Sequence, residues 1–259
     1  MKIISVMNEK GGIGKTMTAA AIAYILGEEK GFRVLVVDAD QQGNISALYE
    51  QYAPEGIGMS ELMEKHRAAG GIYSTADVTK ATQYSNIDII PSNGYLMRTN
   101  MNLMLNTDSD QISRFAAAMQ EVDGAYDFVI ADCGLVLDMT VTNVLLASDL
   151  IVLPVKLGGF ETQSALNMME QLEDMRSINP EIKAKVLMTM KQKNKTSDQM
   201  EQWLHEEFGW DCFSTAVRRS VVAEKSTIAR KPLPKYSRNC TASQDYRQLT
   251  EELLKEMEG

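Results

Sequence analysis

A chain of 259 residues, 44% hydrophobic and 24% charged with only 6 prolines, can bury a sizeable core and is not a low-complexity or disordered sequence. Its apolar runs fall short of the roughly 18–20 residues that cross a bilayer, and the run after Met1 is too short for a secretory leader. A net charge of −9 argues against a general nucleic-acid binder, and three scattered cysteines without metal-ligand spacing point to a reduced, cytoplasmic protein.

In chain order, "KIISVM" (2–7) reads as the first strand: short, apolar, partly β-branched. It runs into "NEKGGIGKT" (8–16) and then a helix over 15–29. Strand, glycine-rich turn and helix start together make a phosphate-binding loop. Gly11, Gly12 and Gly14 let backbone N–H groups turn inward, and the helix N-terminus adds positive potential. Lys10, Gly11, Gly12, Ile13, Gly14, Lys15, Thr16 and Met17 are therefore the candidate nucleotide-binding set, with Lys15 on the β/γ-phosphates and the Thr16 hydroxyl on Mg²⁺. The usual G-x-x-x-x-G-K-[ST] pattern has glycine at position 9; this chain has Glu9 followed by a second lysine, Lys10.

The next strand, "RVLVVD" (33–38), continues into "ADQQGN", placing Asp38 and Asp40 at its carboxyl end. Residues i and i+2 of a strand face the same way, so both can face a metal–phosphate site. One can hold a metal-bound water while the other positions the attacking water. Helices are expected over 44–51 and 58–68, and 66–86 reads as a surface excursion. "IDIIP" (87–91) is a strand, 108–121 a helix, and "DFVIAD" (127–132) a strand ending in a further candidate metal carboxylate, Asp132. Then come a helix over 139–147, "LIVLPV" (150–155), a helix over 161–177, "AKVLMTM" (184–190), and helices over 196–208, 220–230 and 241–257. This alternation predicts a single α/β domain over 1–259: a doubly wound, mainly parallel sheet with helices on both faces. His66 and His205 read as isolated surface residues, and the 17 methionines as core filling.

The acidic mean hides a segregation. Residues 181–195 carry five lysines and one glutamate, and 217–247 carry eight Lys/Arg against Glu224 and Asp245. Such patches can bind a phosphate backbone while the remaining surface repels it.

The runs "KGGIGKT", "VLVVDADQQGN", "YDFVIADC" and "ASDLIVLPV" resemble the ParA/MinD/Soj class of deviant Walker A P-loop ATPases. Toward the other end, "FSTAVRRSVVAEKS" and "DYRQLTEELLKE" resemble the closing segments of ParA/Soj partition proteins, of the short type without an N-terminal helix-turn-helix domain. The resemblance implies an ATP- and Mg²⁺-dependent ATPase that forms a homodimer on ATP and binds DNA non-specifically. It also implies hydrolysis stimulated by a ParB-like protein, in the partitioning of a plasmid, chromosome or mobile element. It implies that Lys10 acts on the nucleotide of the partner subunit, that Lys15 and Asp40 are catalytic, and that Thr16, Asp38 and Asp132 serve the metal. Arg219, with Arg218 beside it, falls where such proteins bind DNA. The chain departs from the pattern at Met17, Gln41, Arg218 and the pair Gly134-Leu135, which stands where the family has two prolines. A MinD-like membrane-positioning ATPase and a slow nucleotide-dependent scaffold are the alternatives. The acidic C-terminal "QLTEELLKEMEG" disfavours the membrane reading, because anionic lipid would repel it.

Overall fold

Strands that are apolar on both sides can be buried only between two layers, and the seven strands form such a sheet. They are β1 (Lys2–Val6), β2 (Val34–Ala39), β3 (Lys80–Ala81), β4 (Ile87–Ile90), β5 (Phe128–Cys133), β6 (Leu150–Lys156) and β7 (Ala184–Thr189). Their order is β3-β4-β2-β5-β1-β6-β7, and every neighbouring pair is parallel except β3 with β4. The computed structural model describes residues 1–106, 110–156, 161–208 and 211–258.

Side-chain alternation divides the core in two. Leu35, Val37 and Ala39 of β2, with Val129 and Ala131 of β5, face a layer that includes helices Met59–Lys65, Arg114–Glu121 and Met139–Leu146. Val34, Val36 and Ile130 face the opposite layer, built from helix α1 (Lys15–Tyr24) and the C-terminal helix Thr241–Glu258. Four of the seven buried residues of helix α1 are alanine, which lets it lie close between the sheet and the C-terminal helix. The doubly wound parallel sheet expected from the sequence is therefore present, with β3 as an antiparallel edge.

All six expected strands form. Several other segments differ from expectation. The helix over 15–29 is α-helical only to Tyr24 and continues as a π-turn, Ile25–Glu29. The helix expected from 108 begins at Arg114, and 108–109 lie outside the described residues. A helix at Leu96–Leu105 lies outside the sequence expectation: Thr99, Asn100 and Asn102 interrupt its helix-forming Leu, Met and Arg residues, and its N-cap, Tyr95, makes no side-chain cap bond. Three of its methionines, Met97, Met101 and Met104, are 60–76% exposed, so not every methionine fills the core.

The 66–86 excursion is pinned, and His66 is not a surface residue. It is 2% exposed. Its Nδ1 accepts the Ala68 N–H at 3.2 Å, which places the proton on Nε2; Nε2–H then donates to Glu121 Oε2 at 3.0 Å and lies 3.1 Å from Thr75 Oγ1. Glu121 Oε2 also accepts the Thr75 N–H at 2.6 Å. That backbone bond, with smaller help from His66, holds the Glu121 carboxyl below its ordinary value of 4.5. A lowered carboxyl stabilises the fold above the ordinary value, and the contribution fades as pH falls through the folded-state value. Glu121→Gln is accordingly expected to lower the melting temperature at neutral pH by about 2–4 °C. The gap from wild type should narrow as pH falls below the ordinary value of 4.5 and close once it passes the lower folded-state value. Thermal melts across pH test this, and a gap that persists in acid would assign the loss to packing instead.

Candidate nucleotide and metal site

The carboxyl ends of β1, β2 and β5 lie side by side, where doubly wound sheets hold ligands. Asp38 and Asp132 are register partners on β2 and β5, and Val6, just before the phosphate loop, pairs with Asp132. Three stretches far apart in sequence therefore end at one place.

The loop turns through two left-handed glycines, Gly12 at φ 71° and Gly14 at φ 95°; Gly14 also caps α1. A side chain at either position would be strained. The loop is anchored from three directions. Asn8 Nδ2 donates to Pro154 C=O of β6 at 2.9 Å, while Asn8 Oδ1 accepts the Lys10 N–H at 3.0 Å. Thr189 Oγ1, at the end of β7, donates to Ile13 C=O at 2.8 Å. Gln171 donates to Glu9 at 3.1 Å. Met17 lies against Ser226, whose Oγ is 4.0 Å from the sulfur.

The two lysines differ sharply. Lys15 is buried and its ammonium donates to Lys10 C=O at 2.9 Å. Burial lowers its pKa from 10.5, and Asp132 and Asp40 oppose that shift. The Lys10 side chain is exposed and makes no hydrogen bond or ion pair among the described residues.

The three carboxylates also differ. Asp38 is fully buried; its Oδ2 accepts the Ser46 N–H at 2.9 Å and the Ser46 hydroxyl at 2.5 Å, and its Oδ1 accepts the Asp40 N–H at 3.1 Å. Burial outweighs those bonds and pushes its carboxyl up to about 7. Asp40 is 8% exposed; its Oδ1 accepts the Gln42 N–H at 2.9 Å. The Gly134 backbone packs against it, since a Cβ there would lie 3.4 Å from Asp40 Oδ1. Leu135 in turn reaches toward Gly11. Asp132 is 1% exposed and neither carboxylate oxygen has a hydrogen-bond partner among the described residues. Burial, then the nearby Asp38, raise its pKa well above 3.8; the Thr16 hydroxyl lies close enough to moderate the shift without closing a hydrogen bond.

Two orphaned, buried carboxylate oxygens are unfavourable unless something cationic meets them. Asp132, with Thr16 beside it, thus suits a divalent cation. Among the described residues no group of three or more His, Cys, Asp or Glu side chains encloses a metal, so most of the coordination shell must come from elsewhere, as phosphate and water oxygens do for Mg²⁺.

Arg218 and Arg219 are adjacent but differently engaged. The Arg218 guanidinium makes a forked pair with Asp245, Nε to Oδ2 at 2.9 Å and Nη2 to Oδ1 at 2.5 Å, and Asp245 is itself buried. Arg219 is exposed with no side-chain partner among the described residues. Its N–H donates to Lys191 C=O at 2.9 Å, and Lys191 N–H donates to Val217 C=O at 3.0 Å. Those two bonds set Lys191 beside Val217 and Arg219, so the end of the first basic stretch meets the start of the second.

Compared with protein-family models, residues 1–184 match the AAA_31 family, described as an AAA domain. The chain belongs to this family. Among curated members of known sequence, it is similar to the chromosome partitioning protein ParA of Caulobacter vibrioides, 27% identical over 98% of this chain and 94% of that one. It is likewise similar to the sporulation initiation inhibitor protein Soj of Bacillus subtilis, 28% identical over 97% and 98%. Within the family it is therefore of the ParA/Soj type. Among solved structures its fold matches cobyrinic acid a,c-diamide synthase of Mycobacterium smegmatis with a bound ATP analogue and magnesium, with TM-score 0.83, 20% identity and 100% and 96% coverage. It also matches a plasmid partition protein of Borrelia burgdorferi bound to AMPPNP, with TM-score 0.79, 21% identity and 98% and 99% coverage.

Sequence reasoning overlooked Asn8, Ser46 and Thr189, which fix the loop and Asp38. Ser46 and Thr189 act from positions with no spacing relation to the motifs they support, and Asn8, which opens the loop motif, is tied to Pro154 by a contact that only the finished sheet creates.

Proposed function

We infer that this chain is a ParA-like ATPase, acting through residues 1–259 as one domain. It binds ATP with Mg²⁺, pairs with a second copy over the nucleotides, binds DNA without sequence preference, and is driven through hydrolysis by a ParB-like activator. In that role it partitions a plasmid, chromosome or mobile element from the cytoplasm, associated with the nucleoid. The observation that carries the reading is the convergence of the phosphate loop, Asp38–Asp40 and Asp132 at the ends of three adjacent strands, with Lys15 buried among them.

The residues divide the work. Backbone N–H groups from Lys10 to Met17 cradle the phosphates, and Lys15 exchanges the Lys10 carbonyl for a phosphate oxygen. Thr16, Asp132 and Asp38 would hold the cation. When bound, Mg²⁺ would neutralise phosphate charge. Asp40, fixed by the Gln42 N–H, orients the attacking water. Lys10 faces outward to serve the partner's nucleotide. The C-terminal helix counts against a membrane role, because Tyr246, Leu249 and Leu253 of its apolar face are committed to the core.

The DNA surface is the part most readily tested. Arg219 is the free cation of the pair, whereas Arg218 is tied to Asp245, so Arg219 makes the phosphate contact and Arg218 shapes the turn beneath it. Arg219→Glu is expected to leave ATP binding intact and weaken DNA binding at least about tenfold. The slope of log affinity against log salt should fall by about 1 or more. A salt titration with unchanged affinity would remove this assignment.

A further inference from the structure

The helix Val221–Ile228 ends against the preference of its own sequence. Lys231 N–H donates to Ser226 C=O, and Arg230 N–H to Thr227 C=O, both at 3.0 Å. These two bonds are a Schellman closure, which requires a left-handed residue at the place Arg230 occupies. Arg230 has φ 49°. Glycine is the usual residue there, because a Cβ crowds the following carbonyl. Pro232 follows and stops the helix, as it commonly does after such a closure. The chain therefore holds a long cationic side chain in a glycine slot.

The helix itself does not need that side chain. Lys225 and Lys231 already put positive charge near its last carbonyls. The guanidinium of Arg230 is exposed and makes no hydrogen bond or ion pair among the described residues. Its neighbours in sequence are of one kind: Arg219, Lys225, Lys231, Lys235 and Arg238 are also exposed without ion pairs among the described residues, and Glu224 is the only acid within 219–238. Elsewhere on this acidic chain many cations are neutralised, as in Arg33–Asp127, Lys30–Glu251 and Arg247–Glu29.

We propose that Arg230 is a contact to the phosphate backbone of duplex DNA, held at the centre of this cationic run by a backbone conformation that a glycine would adopt more easily. The proposal rests on the DNA-binding reading above. Backbone strain retained at an exposed position is a feature of binding sites, and a guanidinium fork matches a phosphate geometrically. An anionic membrane is the less suitable surface. Val221 and Ile228 are 71% and 85% exposed, but two apolar residues on an eight-residue helix do not make the apolar face of a membrane-lying helix.

The test uses the full ATP-loaded chain and a mixed-sequence duplex over a salt series, comparing wild type with Arg230→Gly and Arg230→Lys, each also melted. Arg230→Gly should melt at or above the wild type, by up to about 4 °C. It should bind the duplex about five- to tenfold more weakly, with a salt slope shallower by about 1 per protomer; Arg230→Lys should keep the slope. Unchanged duplex affinity in Arg230→Gly, beside a wild type that binds, overturns the proposal and leaves the DNA reading standing. So does a variant melting several degrees below wild type, which would make Arg230 a structural residue. A wild type that does not bind duplex removes the DNA reading itself. Binding to phosphatidylserine vesicles that Arg230→Gly abolishes while duplex binding persists assigns the run to a membrane, and overturns the proposal too.

Discussion

Asp40→Ala is expected to slow ATP turnover by about 10²–10⁴-fold while ATP and Mg²⁺ still bind. Asp40 Oδ1 is held by the Gln42 N–H and the Gly134 backbone closes against the carboxylate, so its orientation is fixed before any substrate arrives. Oδ2 accepts no hydrogen bond among the described residues, which leaves it available for the role proposed for Asp40. Removing this charge leaves the phosphate cradle untouched and takes one anion away from the triphosphate, so affinity should hold or rise. Asp38 is a poor choice for the same experiment. Its oxygens are occupied by Ser46 and the Asp40 N–H, and Ser46 Oγ in turn accepts the Ser92 N–H at 2.9 Å. Substituting Asp38 would therefore loosen the strand end as well as the chemistry. Phosphate release, nucleotide titration and light scattering on Asp40→Ala decide the matter: the expected result is a nucleotide-loaded pair of chains that hydrolyses hardly at all. Wild-type turnover would remove Asp40 from the reaction, and an ATP-loaded variant that stays single would remove the link between loading and pairing.

The parts of the site legible in the sequence are those where local pattern and chemistry coincide. Gly12 and Gly14 announce a loop because left-handed backbone selects glycine, and β2 and β5 announce themselves because a strand buried on both faces must be apolar throughout. Asp38 and Asp132 are then conspicuous as charges at the ends of such runs, and the parallel register makes them neighbours. What could not be read are the contacts whose two ends have no sequence relation. Thr189 reaching Ile13, Asn8 reaching Pro154 and Arg218 reaching Asp245 are products of the finished sheet, not of any spacing. His66 was misjudged for the same reason. A lone histidine in a polar stretch reads as surface until the chain folds Glu121 and Thr75 over it. The helix Leu96–Leu105 is obscured differently, by the Thr and Asn residues at its centre and an N-terminus without a side-chain cap; tertiary bonds such as Thr99 Oγ1 donating to Glu64 at 2.8 Å help to hold it.

Lys10→Ala is expected to lower turnover by about 10³-fold, an effect of the size seen when a cation supplied from outside a nucleotide site is withdrawn. Nucleotide affinity of the separate chain should change little. Within its own loop Lys10 contributes backbone, the N–H bound to Asn8 and the carbonyl accepting from Lys15, and alanine supplies both. The side chain is exposed and unpaired among the described residues, and the proposed function assigns its charge to a facing copy. Mixing two inactive variants tests this. In a pair formed from Lys10→Ala and Asp40→Ala, the copy that keeps Asp40 receives Lys10 from its neighbour, and one of the two centres is complete. Random pairing of equal amounts makes half of the pairs mixed, so about a quarter of wild-type turnover should return. If Lys10 served its own nucleotide, each copy in the mixed pair would still lack one group and the mixture would stay as inactive as its components.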